Sequence, residues 1–552
     1  MSARGRVYLV GAGPGDPKLL TIRGDELLRR ADVVVYDHLV SPRLVTACAP
    51  GARRVYVGKE ADRHTKRQAA INTLLIRAAR AGKTVVRLKG GDPFLFGRGG
   101  EEALALARAR VPFEVVPGVT SAIAVPAYAG IPVTHRNYAS SVAIVTGHED
   151  PMKPQSAIRW QALASGCETL VFLMGVGTLA ATAERLVREG RSPSNPCAVI
   201  EWGTWPRQRT VTGTLATIAA RARQTAIRPP AVFIVGRVVS LRRMLNWFER
   251  RPLFGRRLLV TRASDKARAL TDHLEALGAD VEELPAIALG PVKLNGLFRE
   301  TLQTIPRTDW VFFTSPEGVG WLTKLLKPLH KDLRVLAGCH IGAIGSKTAL
   351  ALEAHGLHVD FVPKRFSQEG MLEDLPRRVL RGKRALLLSA KESRDVLSAG
   401  LAARGMRVRN LPIYQTEMPR ALRQQLAEVV RRPFDLVTVT SASCVEHLCE
   451  GLKAAGKRAF FRRWRFASIG PVTSSAVRAH GGRVAVEAKT ATIEGLVDAI
   501  ARSARPVARR HQKVSDTVPD ARRQVETCLT PFAAHRTRRL PAAGAGAQQA
   551  RT

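Results

Sequence analysis

Arg87-Leu88-Lys89-Gly90-Gly91-Asp92-Pro93-Phe94-Leu95-Phe96-Gly97-Arg98-Gly99-Gly100-Glu101-Glu102 is the stretch on which the reading of this 552-residue chain turns. The apolar run Thr84 to Leu88 feeds into it, and the helix-like run Glu101 to Arg108 leaves it. Strand, tight loop, then helix is the arrangement that places ligands at the carboxyl end of an α/β sheet. Gly90 and Gly91 let the backbone approach a ligand and take up positive φ without penalty. Asp92 can accept hydrogen bonds from a ribose or an ammonium group. A turn that only reverses the chain seldom spends so many glycines around one acid and one proline.

A second loop supports this reading. Val7-Tyr8-Leu9-Val10 reads as a buried strand and runs into Gly11-Ala12-Gly13-Pro14-Gly15-Asp16-Pro17. Pro14 and Pro17 lack the N–H groups that a phosphate-binding loop would offer, so this is not a dinucleotide fingerprint.

Length and composition set the outer bounds. A chain this long needs two or more cores. Its hydrophobic content of 45% supports globular folding. No apolar run reaches the ~20 residues of a membrane span, and no secretory signal pattern opens the sequence. Seven scattered cysteines argue against a disulfide framework and fit a reducing cytoplasm. Cys444 and Cys449 are too loosely placed for a zinc site, and no metal is expected. The net charge of +40 invites a nucleic-acid reading. Against it, the positive charge is spread along the chain, and an aromatic content of 5% is poor for base stacking. A small polycarboxylate suits a basic, arginine-rich surface better.

Residues 5 to about 245 resemble uroporphyrinogen-III C-methyltransferase, of the tetrapyrrole methylase family. The resemblance rests on ordered motifs: Gly11 to Asp16, Tyr36-Asp37-His38, Val57-Gly58-Lys59, the Gly90 loop, Val116-Pro117-Gly118-Val119-Thr120-Ser121, Gly130-Ile131-Pro132-Val133-Thr134-His135-Arg136, Leu173-Met174-Gly175 and Glu201-Trp202-Gly203-Thr204. It implies two α/β lobes with a break near Arg136 to Ser141, S-adenosyl-L-methionine as methyl donor, and a homodimer. Carried over by motif, the donor contacts are Pro14, Gly90, Gly91, Asp92, Leu95, Thr120, Ser121, Met174 and Gly203. Met174 has core filling as an alternative role, and Thr120 and Ser121 can equally begin a helix. The resemblance assigns Asp37 as proton acceptor and Lys59 as proton donor. A turn cap is the alternative for Asp37, and a solvated lysine that pairs with substrate carboxylates is the alternative for Lys59.

A second α/β pattern begins at Leu258-Leu259-Val260-Thr261-Arg262, after a Pro/Gly-marked polar linker at 246–257. Two echoes recur about 125 residues apart, which suggests a pair of similar lobes. Phe313-Thr314-Ser315 is echoed by Val439-Thr440-Ser441, and Ala343-Ile344-Gly345 by Ser468-Ile469-Gly470. Residues 258–500 resemble uroporphyrinogen-III synthase, through Thr261-Arg262, Pro285-Ala286-Ile287, Phe313-Thr314-Ser315, Pro412-Ile413-Tyr414-Gln415-Thr416 and Ile469-Gly470-x-x-Thr473. That family closes linear hydroxymethylbilane and inverts its last pyrrole ring, with no metal required. It implies that the first strand–helix unit joins the C-terminal lobe, with chain crossings near Leu284 to Pro291 and Leu411 to Glu417. Tyr414, at a crossing, can assist departure of the hydroxyl group or pack as a hinge aromatic. Thr314, Ser315, Ser441 and Thr473 can bind substrate carboxylates at helix N-termini or simply cap those helices.

The expected chain is therefore α/β throughout: a two-lobed tetrapyrrole methylase fold (1–245), a linker, a two-lobed synthase fold (258–500) and a basic, disordered tail (501–552). The expected product is precorrin-2, with anionic tetrapyrroles as small-molecule partners and neither nucleic acid nor membrane. The alternative is an active methyltransferase joined to a non-catalytic, tetrapyrrole-binding module.

Overall fold

The computed structural model describes residues 5–58, 68–148, 156–262, 264–292, 296–376 and 380–504. Among these residues twenty strands form four five-stranded sheets. In the first half these are β1 (Arg6–Gly11), β2 (Val33–Tyr36), β3 (Arg53–Tyr56), β4 (Thr84–Lys89), β5 (Phe113–Val116), β6 (Val142–Thr146), β7 (Thr169–Leu173), β8 (Pro196–Glu201), β9 (Arg209–Thr214) and β10 (Ala231–Val235). The second half holds β11 (Arg257–Val260), β12 (Asp280–Glu283), β13 (Ala288–Pro291), β14 (Trp310–Phe313), β15 (His340–Ala343), β16 (Arg384–Ala390), β17 (Arg407–Glu417), β18 (Leu436–Val439), β19 (Arg465–Ser468) and β20 (Arg483–Glu487).

The first sheet, ordered 3-2-4-1-5, is wholly parallel. The second, 6-7-10-8-9, is mixed, with β10 antiparallel to both neighbours. Period-two alternation fills both faces of each sheet. In β1, Val7 and Leu9 enter one core and Val10 the other. In β10, Val232 and Ile234 face one side, while Phe233 and Val235 face the opposite side. Each such side chain contributes about 1.5–3 kcal/mol on burial.

The sheets of the second half are 12-11-18-19-20, all parallel, and 13-17-16-14-15, in which only β13 runs antiparallel. The first strands of this half therefore join the C-terminal lobe, as the resemblance implies. The two crossing segments also pair with each other, Tyr414 lying opposite Pro291 and Glu417 opposite Ala288.

The lobes are structural duplicates. Strands β12, β11, β18 and β19 occupy the places of β17, β16, β14 and β15. Ser315 and Ser441 begin equivalent helices with φ/ψ of −162/157 and −162/160. Two further equivalences escaped the sequence reading. Ser367 caps Gly370 N at 2.9 Å as Thr492 caps Gly495 N at 3.0 Å. Leu284-Pro285-Ala286-Ile287 stands where the other lobe has Leu411-Pro412-Ile413-Tyr414.

The halves meet closely. Arg43 pairs with Glu275 and donates to the carbonyl of Val281 at 3.1 Å, and Lys18 lies 3.7 Å from Asp272. Between the halves, Phe248 and Leu253 are buried, and Leu253 N donates to the Leu277 carbonyl. The last helix runs Ile493–Ser503. The remainder of the expected tail lies outside the described residues.

Candidate active sites

Three loops leave the carboxyl ends of the adjacent strands β4, β1 and β5, and the candidate donor site is built from them. Gly13 and Gly91 exchange backbone hydrogen bonds, Gly13 N to Gly91 O at 3.2 Å and Gly91 N to Gly13 O at 2.8 Å. A Cβ on Gly118 would collide with the Gly91 carbonyl, and one on Gly11 with Gly118. Glycine at these positions lets three backbones touch. Asp92 ties the loops together: Oδ1 accepts from Phe94 N at 2.8 Å and Leu95 N at 3.2 Å, and Oδ2 accepts from Gly118 N at 3.0 Å. Its carboxylate thus organises the site as well as being available at its edge.

Gly91 takes φ +69, and an added Cβ would reach only Ser121 N at 3.9 Å and Thr120 Cα at 4.0 Å. The backbone there borders open space beside the helix Ser121–Tyr128. Thr120 caps that helix by accepting from Ala122 N at 3.2 Å. Gly90, Gly91, Asp92, Thr120 and Ser121 therefore converge, and half-buried Pro14 follows Gly13 at the same place.

The second lobe closes on these loops. Asp16 N donates to Thr204 Oγ1 at 3.1 Å, and the Tyr128 hydroxyl donates to Asp16 Oδ2 at 2.8 Å. Burial, reinforced by the Asp16 charge, pushes the Tyr128 phenol far up. Gly203 is buried, and a Cβ there would collide with Val125, so glycine lets this segment pack on the helix Ser121–Tyr128. Leu95 packs on the second lobe's core. Met174 is 53% exposed, so the core-filling alternative falls.

Backbone strain concentrates here. Among the described residues eight non-glycine positions have positive φ, and five are Phe96, Arg98, Met174, Trp202 and Thr204. Strained conformations persist where surrounding structure holds them, and they cluster at ligand sites.

Asp37 follows β2. Its Oδ1 accepts from Leu39 N at 3.3 Å and lies 3.7 Å from where a Cβ on Gly90 would stand. Both readings of Asp37 thus coexist: it makes a turn bond and stands beside the donor loop. Lys59 lies outside the described residues.

Several residues to which the sequence reading gave no role complete the site. Arg87 Nη2 is 3.5 Å from Asp37 Oδ2, and Arg87 Nε is 3.1 Å from Glu102 Oε1. Lys89 and Gln68 each reach the Glu102 carboxylate at 3.2 Å. Arg87, Lys89 and Glu102 are all buried. Burial, then the Arg87 charge, lowers the Lys89 ammonium from its usual range, against the pull of Glu102 and Asp37. At the mouth of the loop, Arg98 grips Glu101 through two bonds of 2.8 and 2.7 Å.

In the second half, Thr314, Ser315 and Tyr414 belong to one lobe, and Ser441 and Thr473 to the other. A cavity of about 340 Å³ is lined by Leu289, Thr314, Glu317, Glu392, Tyr414 and Thr416, among others. Ser315 Oγ and the Tyr414 hydroxyl lie 2.9 Å apart, and Ser315 Oγ also accepts from Gly318 N at 3.2 Å. Burial raises the Tyr414 phenol; the Ser315 bond opposes this, and Glu317 and Glu392 add to it. Thr314 Oγ1 donates to the Leu388 carbonyl at 3.3 Å. Ser441 caps Cys444 N at 3.2 Å. Thr473 is 4% exposed within the first turn of the helix Pro471–Ala479, which leaves its hydroxyl little access to a ligand. Among the described residues no group of three or more His, Cys, Asp or Glu side chains is placed to hold a metal ion. No helix among them is long and apolar enough to cross a membrane.

Loops joined at a parallel sheet's carboxyl edge, closed over by a second mixed sheet and followed by a duplicated α/β pair, define two enzymes in one chain. Residues 6–219 match the tetrapyrrole (corrin/porphyrin) methylases, and residues 268–498 match uroporphyrinogen-III synthase. The porphyrin biosynthesis protein HemD of Ruminiclostridium josui is 38% identical over 495 residues, 90% of this chain and 97% of that protein. The uroporphyrinogen-III C-methyltransferase of Bacillus subtilis is 43% identical over 355 residues, 64% of this chain and 72% of its own. The S-adenosyl-L-methionine-dependent uroporphyrinogen III methyltransferase of Methanosarcina barkeri is 52% identical over 242 residues, 44% of this chain and 95% of its own. The chain belongs to the family of porphyrin-biosynthesis proteins in which a tetrapyrrole methylase and a uroporphyrinogen-III synthase are fused, and it is a bifunctional enzyme of tetrapyrrole biosynthesis.

Proposed function

We propose that the second half converts hydroxymethylbilane to uroporphyrinogen III and that the first half methylates this product twice to give precorrin-2. The observation that carries the reading of the first half is the open space at Gly91, bordered by Thr120 and Ser121 and flanked by Asp37. S-adenosyl-L-methionine, when bound, supplies an electrophilic methyl group for in-line displacement. The chain's task is then alignment and proton handling. Half-buried backbone at Gly90 and Gly91, the start of the helix Ser121–Tyr128, Pro14, Leu95, Met174 and the Gly203 backbone hold the donor. Asp92 keeps their loops in register. Asp37 accepts the proton that the methylated, cationic macrocycle loses at another carbon, and Arg87 holds that carboxylate in place. Lys59 serves as proton donor.

In the second half, Tyr414 assists loss of the terminal hydroxyl, and Thr314, Ser315 and Ser441 orient the substrate from the strand ends, with Thr473 supporting its helix. Neither half uses a metal. The protein acts in the cytoplasm as a homodimer joined through its first half, and its surface arginines attract anionic tetrapyrroles.

The test follows binding and turnover separately. Calorimetry with S-adenosyl-L-homocysteine should give one site per chain, and Gly91→Asp should abolish it. Wild-type affinity in that variant would remove the Gly91 loop from the donor site.

A further inference from the structure

The duplicated lobes provide a comparison within one molecule. Ser315 and Ser441 share sequence context, backbone angles and a 3.2 Å capping bond to the third residue of their helices. Ser315 lies beside Leu411-Pro412-Ile413-Tyr414, and the other lobe has Leu284-Pro285-Ala286-Ile287 at the equivalent place in its chain. Tyr414 belongs to the core that holds Phe313 and Val319, and Ile287 packs against the one that holds Val439 and Val445. The lobes differ in the polar group at this point. Tyr414 places its hydroxyl 2.9 Å from Ser315 Oγ, whereas the equivalent residue of the other lobe is Ile287, whose side chain has no polar atom. The 340 Å³ cavity lies against Tyr414, with Glu317 and Glu392 on its wall, whereas a cavity of about 440 Å³ in the other lobe is lined by Arg257, Glu283, Arg432 and their neighbours and includes neither Ser441 nor Ile287.

We propose that only the lobe of β13–β17 carries out chemistry, and that Ser315 is a positioning residue for Tyr414, the other lobe serving to bind. The inference rests on reading the second half as a synthase. Its physical basis is a chain of donors. Gly318 N–H donates to Ser315 Oγ, Ser315 O–H to the Tyr414 oxygen, and Tyr414 O–H to the leaving oxygen in the cavity. Each bond polarises the next. The bound substrate's hydroxymethyl carbon–oxygen bond breaks, and both electrons leave on oxygen. The adjoining pyrrole nitrogen feeds its pair into the ring to form the exocyclic double bond. The pyrrole N–H proton then completes the departing water, so one water is lost overall and Tyr414 keeps its proton. The arrangement also fixes the direction of the linear substrate: its hydroxymethyl end lies in the lobe of β14 and its far rings reach toward Ser441.

The two serines make the test self-controlled, because Ser315→Ala and Ser441→Ala each remove one matched cap bond. In the full chain, cyclisation of hydroxymethylbilane would be measured as kcat and KM. Methylation of preformed uroporphyrinogen III would serve as the control for folding. Ser315→Ala should lower kcat about tenfold, the scale of one lost hydrogen bond to a reacting group, with a smaller change in KM. Ser315→Thr should restore it. Ser441→Ala, in the binding lobe, should instead raise KM several-fold while changing kcat by less than about twofold. Equal losses in the two alanine variants would overturn the inference, because the effect would then be capping alone. A low kcat in Tyr414→Phe with normal kcat in Ser315→Ala would also overturn it while leaving the tyrosine's role standing. Full activity in Tyr414→Phe would instead remove the tyrosine from the reaction.

Discussion

Arg87 and Glu102 form an ion pair inside the first sheet, Nε to Oε1 at 3.1 Å, with the glutamate side chain fully buried and the arginine 5% exposed. One end of this pair reaches Lys89 and the other reaches Asp37, so the carboxylate beside the donor loop is held by a buried cation. Removing one partner of a buried pair strands the other, at a cost of about 3–5 kcal/mol. Glu102→Gln leaves two buried cations, Arg87 and Lys89. It should lower the unfolding free energy of the first half, measured by urea denaturation, by an amount on that scale. A loss below about 1 kcal/mol, the surface-pair value, would mean that the cluster is not stabilising.

Gly91 and Gly118 should respond differently to the same added methyl. Gly91→Ala meets no atom closer than 3.9 Å and suffers only a positive-φ strain of about 1–2 kcal/mol. The protein should fold but bind S-adenosyl-L-homocysteine at least about tenfold more weakly, as one lost close contact implies. Gly118→Ala collides with the Gly91 carbonyl and should yield little folded first half. Circular dichroism together with calorimetry separates the two outcomes, and a well-folded Gly118→Ala would disprove the three-backbone contact.

Asp37→Asn keeps the shape of the side chain and its turn bond to Leu39 but removes the base. Methyl transfer should fall about 10²-fold or more, the usual contribution of a positioned acid or base. Donor affinity should change little, because Asp37 is not among the proposed donor contacts. Single-turnover kinetics with labelled donor gives both quantities. Unchanged turnover would exclude Asp37 from proton transfer.

Glu275 joins the two halves through Arg43. Burial holds its carboxyl above the usual carboxylate range, with Arg43 and Lys18 opposing and Asp272 reinforcing the shift. The folded chain therefore keeps this proton more tightly than the unfolded chain. The resulting stabilisation is fully present below the unfolded value of about 4.3 and is lost as pH rises through the folded one. Thermal unfolding of wild type and Glu275→Gln from pH 4 to pH 7 should show wild type's relative advantage shrinking with pH. A constant difference would mean that Glu275 titrates normally.

The glycine loops were legible because their demands are local: positive φ at Gly91 and close backbone approach at Gly118 permit few residue types. The duplicated lobes were legible at Ser315 and Ser441, where a cap must follow a buried strand. Other features depend on what the fold brings together. Arg87 sits in a run that reads as apolar, and only the position of Glu102, fifteen residues later on the returning helix, reveals its charge as paired. The strain at Met174, Trp202 and Thr204 has no marker, since none of the three is glycine. Thr473 read as a site hydroxyl from its motif, whereas the helix turns it inward. The Ser315–Tyr414 bond spans 99 residues and needs both crossings of the chain to be in place.

The most direct test of the bifunctional account supplies the purified full chain with hydroxymethylbilane and labelled S-adenosyl-L-methionine, and follows the products by mass and chromatography. The account predicts a dimethylated type-III product from the linear precursor alone. Methylation that appears only when preformed uroporphyrinogen III is added would contradict it and leave the second half as a binding module.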